Sequence, residues 1–366
     1  YNTTGYYNSA MGYASLYSNT SGICNSAVGY KALNTYNLPT PTIGATASTQ
    51  ANKYMDVSLW TGNGTSSQTI TNTAGFKPDL VWIKDRTTAQ DNNLFDSVRG
   101  TGSTHDLCSN TTDSEGSVTG SQTFNYGYLS SFNSNGFSVG TGTGSNGNGA
   151  TYVGWQWKGA NSTISNTAGS ITSTVSANQT AGISIVTYTG NGSNSTVGHG
   201  LGVAPSFIIN KIYSISNNWY CYHVSLGNAS EFMLNSVAAA SSTSDWNSTS
   251  PTSSVFSMGS GWSGSYPMIS YCWAEVPGFS KFGSYTGNGS SDGPFIYTGF
   301  RPKFIIVKCS SSTDGGNAEW LMYDSSRDSY NVMNTRLWAD SSAAEYSYSG
   351  GTGGYNYDFL SNGFKV

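Results

Sequence analysis

The side chains that could do chemistry in this sequence are few and scattered. Catalysis needs titratable groups that converge, and the three histidines, His105, His199 and His223, stand far apart. His199 lies in a Val-Gly-His-Gly-Leu-Gly stretch and reads as a turn residue. His223 takes a place that Asp96 and Asp324 hold elsewhere in a repeat, so a catalytic role would be confined to one repeat of several. Two Asp-x-x-Arg pairs, Asp96 with Arg99 and Asp324 with Arg327, have the spacing of a ligand or sugar clamp. The plainer reading is a local ion pair or a turn-forming Asp, of the weak kind common on surfaces. Asp91 and Asp96 could share a cation, yet the acidic residues are too scattered for a calcium loop of the EF-hand type. The glycine-rich stretch 140–149 lacks the Lys-Ser/Thr ending of a phosphate-binding loop and is expected to be a flexible exposed loop.

Trp246, in Ser-Asp-Trp-Asn, and Trp262, in Gly-Trp-Ser, sit in polar stretches. Exposed there, their rings would stack on sugar faces, and they are the candidate glycan contacts. The plainer reading is a loop anchor packed on its own domain or on a neighbouring chain, since Trp is usually largely buried. Five cysteines without a Cys-x-x-Cys pair suggest neither a disulfide framework nor a zinc site. No catalytic residue, cofactor or metal is expected, and the chain is not expected to be an enzyme.

The elements that would position any site are strands. Charged residues make up 9% and aromatics 14% of the 366 residues, and 45 are Gly. A chain so rich in aromatics can bury a core, while Gly, Ser, Thr and Asn are middling to poor helix formers. Short β-branched and aromatic runs between Gly/Asn/Ser clusters predict an all-β fold. A net charge of −4 argues against nucleic acid as a partner. No apolar run approaches the ~20 residues that span a bilayer, and no signal peptide is read at the start.

Two kinds of repeat organise the chain. In the first, Thr4-Gly5, Asn8-Ser9-Ala10-Met11-Gly12-Tyr13 and Leu16 match Ser21-Gly22, Asn25-Ser26-Ala27-Val28-Gly29-Tyr30 and Leu33, a shift of 29 − 12 = 17 residues. A unit this small cannot cover its own apolar face, so stacking or other chains must do so.

The second repeat is long. Thr61-Gly62-Asn63-Gly64 recurs at Thr189–Gly192 and Thr286–Gly289, preceded by Trp60, Tyr188 and Tyr285. Asn-Gly predicts a tight turn. Each is followed by a Pro (Pro78, Pro205, Pro302) and a run apolar on both faces that ends at Lys84, Lys211 or Lys308. Such a run is covered on both sides, as in a sandwich core or an interface. Next come Leu94-Phe95-Asp96, Cys221-Tyr222-His223 and Met322-Tyr323-Asp324, then Phe137, Phe256 and Phe364. Tyr152–Trp157 matches Met268–Trp273, but the third copy breaks off before this last strand.

The short repeats resemble the TTGxxNSAxGYxAL repeats of phage tail fibres and trimeric adhesin heads. The stretch Tyr271–Gly283 with the following Thr-Gly-Asn-Gly looks like a module repeated in marine phage structural proteins. The resemblance implies a homotrimeric fibre with jelly-roll-like domains strung along an axis. The middle copy departs from it by losing the Asp and the downstream Arg.

The expected architecture is therefore short β-roll-like repeats (1–37), a linker (38–51), tandem jelly-roll or β-sandwich domains at 52–160, 181–279 and 280–366, the last incomplete, and a linker at 161–180. The expected function is that of a virion structural protein, a segment of a homotrimeric tail fibre outside the cell, whose apolar faces are covered within each domain and across three chains. Expected partners are itself, other tail proteins and host surface polysaccharide. A glycan-binding adhesin module, or a filament made by a cell, is the alternative.

Overall fold

The computed structural model describes residues 9–11, 26–28, 43, 50–117, 127–262, 264–311, 318–347 and 356–366. Residues 1–40 and 41–366 form two compact units. In the first, Ser9–Met11 and Ser26–Val28 pair in parallel, Ser9 opposite Ser26 and Ala10 opposite Ala27. The pairing offset equals the 17-residue sequence repeat, so each repeat is one rung of a parallel stack. The rest of the 1–37 repeats and most of the 38–51 stretch lie outside the described residues.

The second unit is all-β, built from antiparallel sheets. In copy one an opening strand (Met55–Thr61), a closing strand (Thr151–Trp157), the Pro-led strand (Leu80–Asp85), a return strand (Asn93–Asp96) and an outer strand (Leu107–Cys108) form one sheet in that order. Gln68–Thr71, Gly136–Val139 and Leu129–Asn133 form a second sheet over it. Copy two repeats the first sheet with Ile183–Thr189, Pro267–Trp273, Phe207–Ile212, Trp219–His223 and Ser230–Met233. Copy three has the Pro-led strand Phe304–Val307, the return strand Leu321–Asp324 and the outer strand Thr335–Trp338. The stretch 161–180 is no linker. Ile164–Asn166 and Ser173–Asn178 are strands that extend copy two's sheet beyond its opening strand.

The Asn-Gly turns form as the sequence predicts. The side-chain Oδ1 of Asn63, Asn191 and Asn288 accepts the N–H two residues on, at 3.0 Å each time. The glycine after it takes φ of 67°, 71° and 68°, a region that only a residue without Cβ adopts freely. In copy one the 140–149 stretch closes on this turn and is not an exposed loop. Ser145 and Asn146 are fully buried. Asn146 accepts from Asn63 N–H (2.9 Å) and donates to Thr65 O (3.0 Å), while Trp60 Nε1–H donates to Ser145 O (3.1 Å).

The two-faced Pro-led strands explain the packing. Because side chains alternate along a strand, Val81 and Ile83 face copy one's second sheet, while Leu80 and Trp82 face away from it. Copies two and three divide likewise, with Ile208 against Phe207 and Ile209, and Ile305 against Phe304 and Ile306. The outward faces of all three copies meet in one shared core that includes Trp155, Trp157, Phe207, Trp219, Tyr271, Trp320 and Met322. The sequence predicts cover for these faces within each domain and across three chains; among the described residues of 50–366 the outward faces are covered by the other copies of the same chain. Tethering holds the copies at a high effective concentration, so the cyclic contact closes within one molecule.

Candidate functional site

The polar groups that the sequence singles out gather where the copies meet. Each Pro-led strand ends in a lysine that bridges to a neighbouring copy. Lys84 Nζ donates to Gln90 O (2.6 Å) and to Ser342 O of copy three (3.0 Å). Lys211 Nζ donates to Asn217 O and to Thr112 O of copy one. Lys308 Nζ donates to Ala318 O and to Ser236 O of copy two. Burial lowers the ammonium of Lys84, and that of Lys211, to about 8, and lowers that of Lys308 too. Copy one thus grips three, two grips one, and three grips two: a head-to-tail contact whose rotation closes.

Two further bonds follow the same cycle. Asn92 Nδ2, Trp219 Nε1 and Trp320 Nε1 donate to Ser341 O, Cys108 O and Met233 O, at 2.9, 2.9 and 3.0 Å. The backbone N–H groups of Glu345, Glu115 and Ala240 donate to Arg86 O, Tyr213 O and Ser310 O at 2.9, 2.7 and 3.1 Å.

The Asp-x-x-Arg pairs belong to this interface and are not on the surface. Asp324 and Arg327 side chains are fully buried, and those of Asp96 and Arg99 nearly so. Asp96 Oδ1 accepts from Val98 N–H and Arg99 N–H, and Oδ2 from Arg99 Nε–H (2.6 Å) and the hydroxyl of Tyr271 in copy two (2.8 Å). Asp324 Oδ1 accepts from Ser326 N–H and Arg327 N–H, and Oδ2 from Arg327 Nε–H (2.6 Å) and Trp155 Nε1–H of copy one (3.1 Å). A carboxylate has about four acceptor positions, and both are filled, which leaves none of Asp96 for a cation shared with Asp91. Each arginine also binds a second carboxylate, Glu115 or Glu345. Burial alone would lower the Arg99 guanidinium; Asp96, Tyr271 and Glu115 outweigh it and hold it above its ordinary value.

Copy two carries His223, Leu226 and Ala240 at the corresponding positions. The partner that would reach His223 is the closing strand of copy three, which is the one without a counterpart among the described strands. Ion triads therefore stand where a closing strand from the next copy brings a donor. This coincidence is invisible in a one-dimensional comparison of the copies.

The remaining candidates are structural in place. His199 is fully buried; its Nδ1 accepts from Leu201 N–H (3.2 Å), so its Nε2–H donates to Thr252 O (3.1 Å), and burial lowers its pKa. His223 Nδ1 accepts from Ser225 N–H, and His105 Nδ1 meets Glu115 at 3.1 Å. Cys108, Cys221 and Cys272 are buried free thiols whose pKa burial raises; Cys309 is exposed.

For Trp246 and Trp262 the structure has the loop anchor and not the exposed glycan contact. Their relative exposures are 1% and 6%, so neither offers a ring face to a sugar. Trp246 packs edge-on against Tyr222 (5.7 Å) and Trp262 against Tyr220 (4.5 Å), with Trp262 Nε1–H donating to Asp245 O. Their loops fold back because burying so large a ring stabilises the sandwich more than its polar neighbours oppose it.

The DUF7483 sequence model, described as a domain of unknown function, covers residues 50–366. The chain belongs to the DUF7483 family. No curated protein and no solved structure matches it. The DUF7483 region spans all three copies and their shared core, not a single sandwich. Among its described residues no group of three His, Cys, Asp or Glu could hold a metal, and no helix is long and apolar enough to cross a membrane.

One buried carboxyl in the DUF7483 region makes stability depend on pH. Burial, with the charge of Asp245 adding to it, raises Glu231 to about 7, from an ordinary 4.5. The folded state keeps a proton that the unfolded chain releases above pH 4.5. The corresponding stability is full at lower pH and is lost as pH rises through about 7. Glu231→Gln is expected to raise stability at pH 8 by on the order of 2 kcal/mol and to flatten the fall between pH 5 and 8. Urea midpoints of both proteins across that range check it.

Proposed function

We propose that the chain is a virion structural protein, a segment of a homotrimeric phage tail fibre that works outside the cell and is not an enzyme. The observation that carries this reading is the parallel pairing of Ser9–Met11 with Ser26–Val28 at the repeat offset. A stack of two rungs buries little by itself, and such small units gain stability from neighbours. Three chains side by side would supply those neighbours, so the homotrimer is assigned to the short repeats. The DUF7483 region then serves as a self-closed body of three sandwiches carried by each chain. Its role is reach and presentation toward the host surface, with other tail proteins as partners along the fibre. Contact with host polysaccharide belongs to this reading, though not through Trp246 or Trp262.

The low charge fits a body that must hold together in varying salt, since few ion pairs lie exposed to screening. Sedimentation equilibrium of the whole 366-residue chain tests the assembly. The expected mass is three times the chain's 38.7 kDa. A species that stays at one chain across micromolar concentrations would overturn the trimer.

A further inference from the structure

One loop of copy two is strained, and its anchor sits beside a buried carboxyl that lacks a partner. The loop, residues 243–249, follows the short edge strand Ser241–Ser242, in which Ser241 lies opposite Glu231. Asn247 and Ser248 take φ of 50° and 45°, a region that residues with a Cβ disfavour. Trp246 is the anchor: it is buried, while Ser244 and residues 248–250 around it are exposed. The Asp245 carbonyl ties the loop to its neighbour, accepting from Gly259 N–H (2.7 Å) and Trp262 Nε1–H (3.1 Å). Glu231 is 4% exposed. Among the described residues neither its Oε2 nor the Trp246 Nε1–H has a hydrogen-bond partner. Asp245 places a second carboxyl close enough to act on it.

We propose that residues 243–249 are a proton-held latch, which stays shut over a neutral Glu231 and opens, releasing Trp246, when Glu231 loses its proton. Two carboxyl groups that act on each other away from water do not both ionise readily. Shut, the loop buries Glu231 and brings Asp245 to it. Open, it lets water reach the carboxylate and moves Asp245 away. The same movement relaxes the backbone at Asn247 and Ser248, so strain and charge favour the same direction. It also removes Asp245 O from the Trp262 Nε1–H. One proton thereby governs the packing of two tryptophans.

The charges around Glu231 agree with this geometry. Burial first, and then Asp245, raise it to about 7; the Thr243 hydroxyl and the Trp246 indole favour the carboxylate and are outweighed. Burial raises Asp245 too, against the Thr243 side chain. Tyr220 and Cys221, on the return strand, are the other titratable groups that act with Glu231; burial raises both, so both are neutral near pH 7. Lys308 of copy three acts on Cys221, and its Nζ is held by Ser236 O and Ala318 O. The shut loop keeps a proton that an exposed Glu gives up above its ordinary 4.5. The latch is therefore tightest below pH 4.5 and weakens as pH rises to about 7. This inference stands apart from the fibre reading, because it needs only the DUF7483 region.

Amide hydrogen exchange of the whole chain, corrected for the intrinsic effect of pH on each amide, tests the latch. The reporting amides are those of Asn247, Thr249 and Gly259, which donate to Ser244 O, Trp246 O and Asp245 O. Their protection is expected to fall about tenfold between pH 6 and pH 8, and at both values to stay below that of the core strand Phe207–Ile212. Glu231→Gln, which cannot ionise, should keep the protection of pH 6 at pH 8. Ser248→Gly, which eases the backbone and leaves both carboxyls in place, should raise protection at both values and preserve the tenfold ratio. Protection that does not change with pH, or an equal fall in Glu231→Gln, would overturn the proposal. So would exchange of the three amides no faster than that of Phe207–Ile212, because the loop would then open only when the whole sandwich unfolds.

Discussion

Replacing Arg327 by Leu is expected to destabilise the folded DUF7483 region by about 3–5 kcal/mol, the cost of leaving a buried ion without its partner. Asp324 would keep its two backbone donors and Trp155, but lose the charge that offsets its burial. Glu345 would retain its two bonds to the Arg86 guanidinium, at 2.7 and 2.8 Å, so the damage centres on Asp324. The variant alone does not show whether the triad itself is stabilising, since a whole buried network can often be exchanged for apolar residues without loss. Copy two supplies the natural exchange. The triple variant Asp324→His, Arg327→Leu, Glu345→Ala copies its His223, Leu226 and Ala240 and is expected to recover at least half of the loss. Urea midpoints of the two variants decide. A triple variant no more stable than Arg327→Leu would mean that the triad is needed as a charged unit.

Trp155→Ala is expected to cost a similar amount, about 3–5 kcal/mol for a large buried aromatic, and to do so for all three copies together. Trp155 is fully buried and joins copies one and three. Its ring lies edge-on to Trp82 at 6.2 Å, 5.7 Å from Phe304, and beneath the Arg327 guanidinium at 5.8 Å, while its Nε1–H donates to Asp324. Because one core is shared by all copies, unfolding followed by Trp fluorescence and by far-ultraviolet circular dichroism should show one coincident transition, shifted down as a whole. Two separated transitions, with copy two melting near its original midpoint, would show instead that the sandwiches are independent domains merely in contact. Trp155→Phe, which keeps much of the volume but cannot donate, should fall between.

Much of this fold was legible in the chain. The Thr-Gly-Asn-Gly turns, the strands two residues after Pro78, Pro205 and Pro302, and their cover on both faces were readable because turn chemistry and side-chain alternation are local properties. The linker expected at 161–180 failed because Ser/Thr-rich stretches serve as strands when a neighbouring edge offers pairing, and that edge, Ile183–Thr189, is set by tertiary structure. The 140–149 stretch misled in the same way: its glycines promised mobility, but Ser145 and Asn146 are held by Trp60 and Asn63, more than eighty residues away in the chain.

The sequence by itself determined the strand class, the repeats, their turns and which residues of each Pro-led strand point to opposite faces, since these follow from periods of two and from backbone dihedrals. Only the tertiary structure decided what lies against the outward face. A two-faced apolar strand is equally satisfied by a neighbour in its own chain or by another chain; the cyclic bonds of Lys84, Lys211 and Lys308 resolve that choice within one chain. The burial of Trp246, Trp262 and the Asp-Arg pairs was decided there too, because exposure is a property of what surrounds a residue and not of its neighbours in sequence.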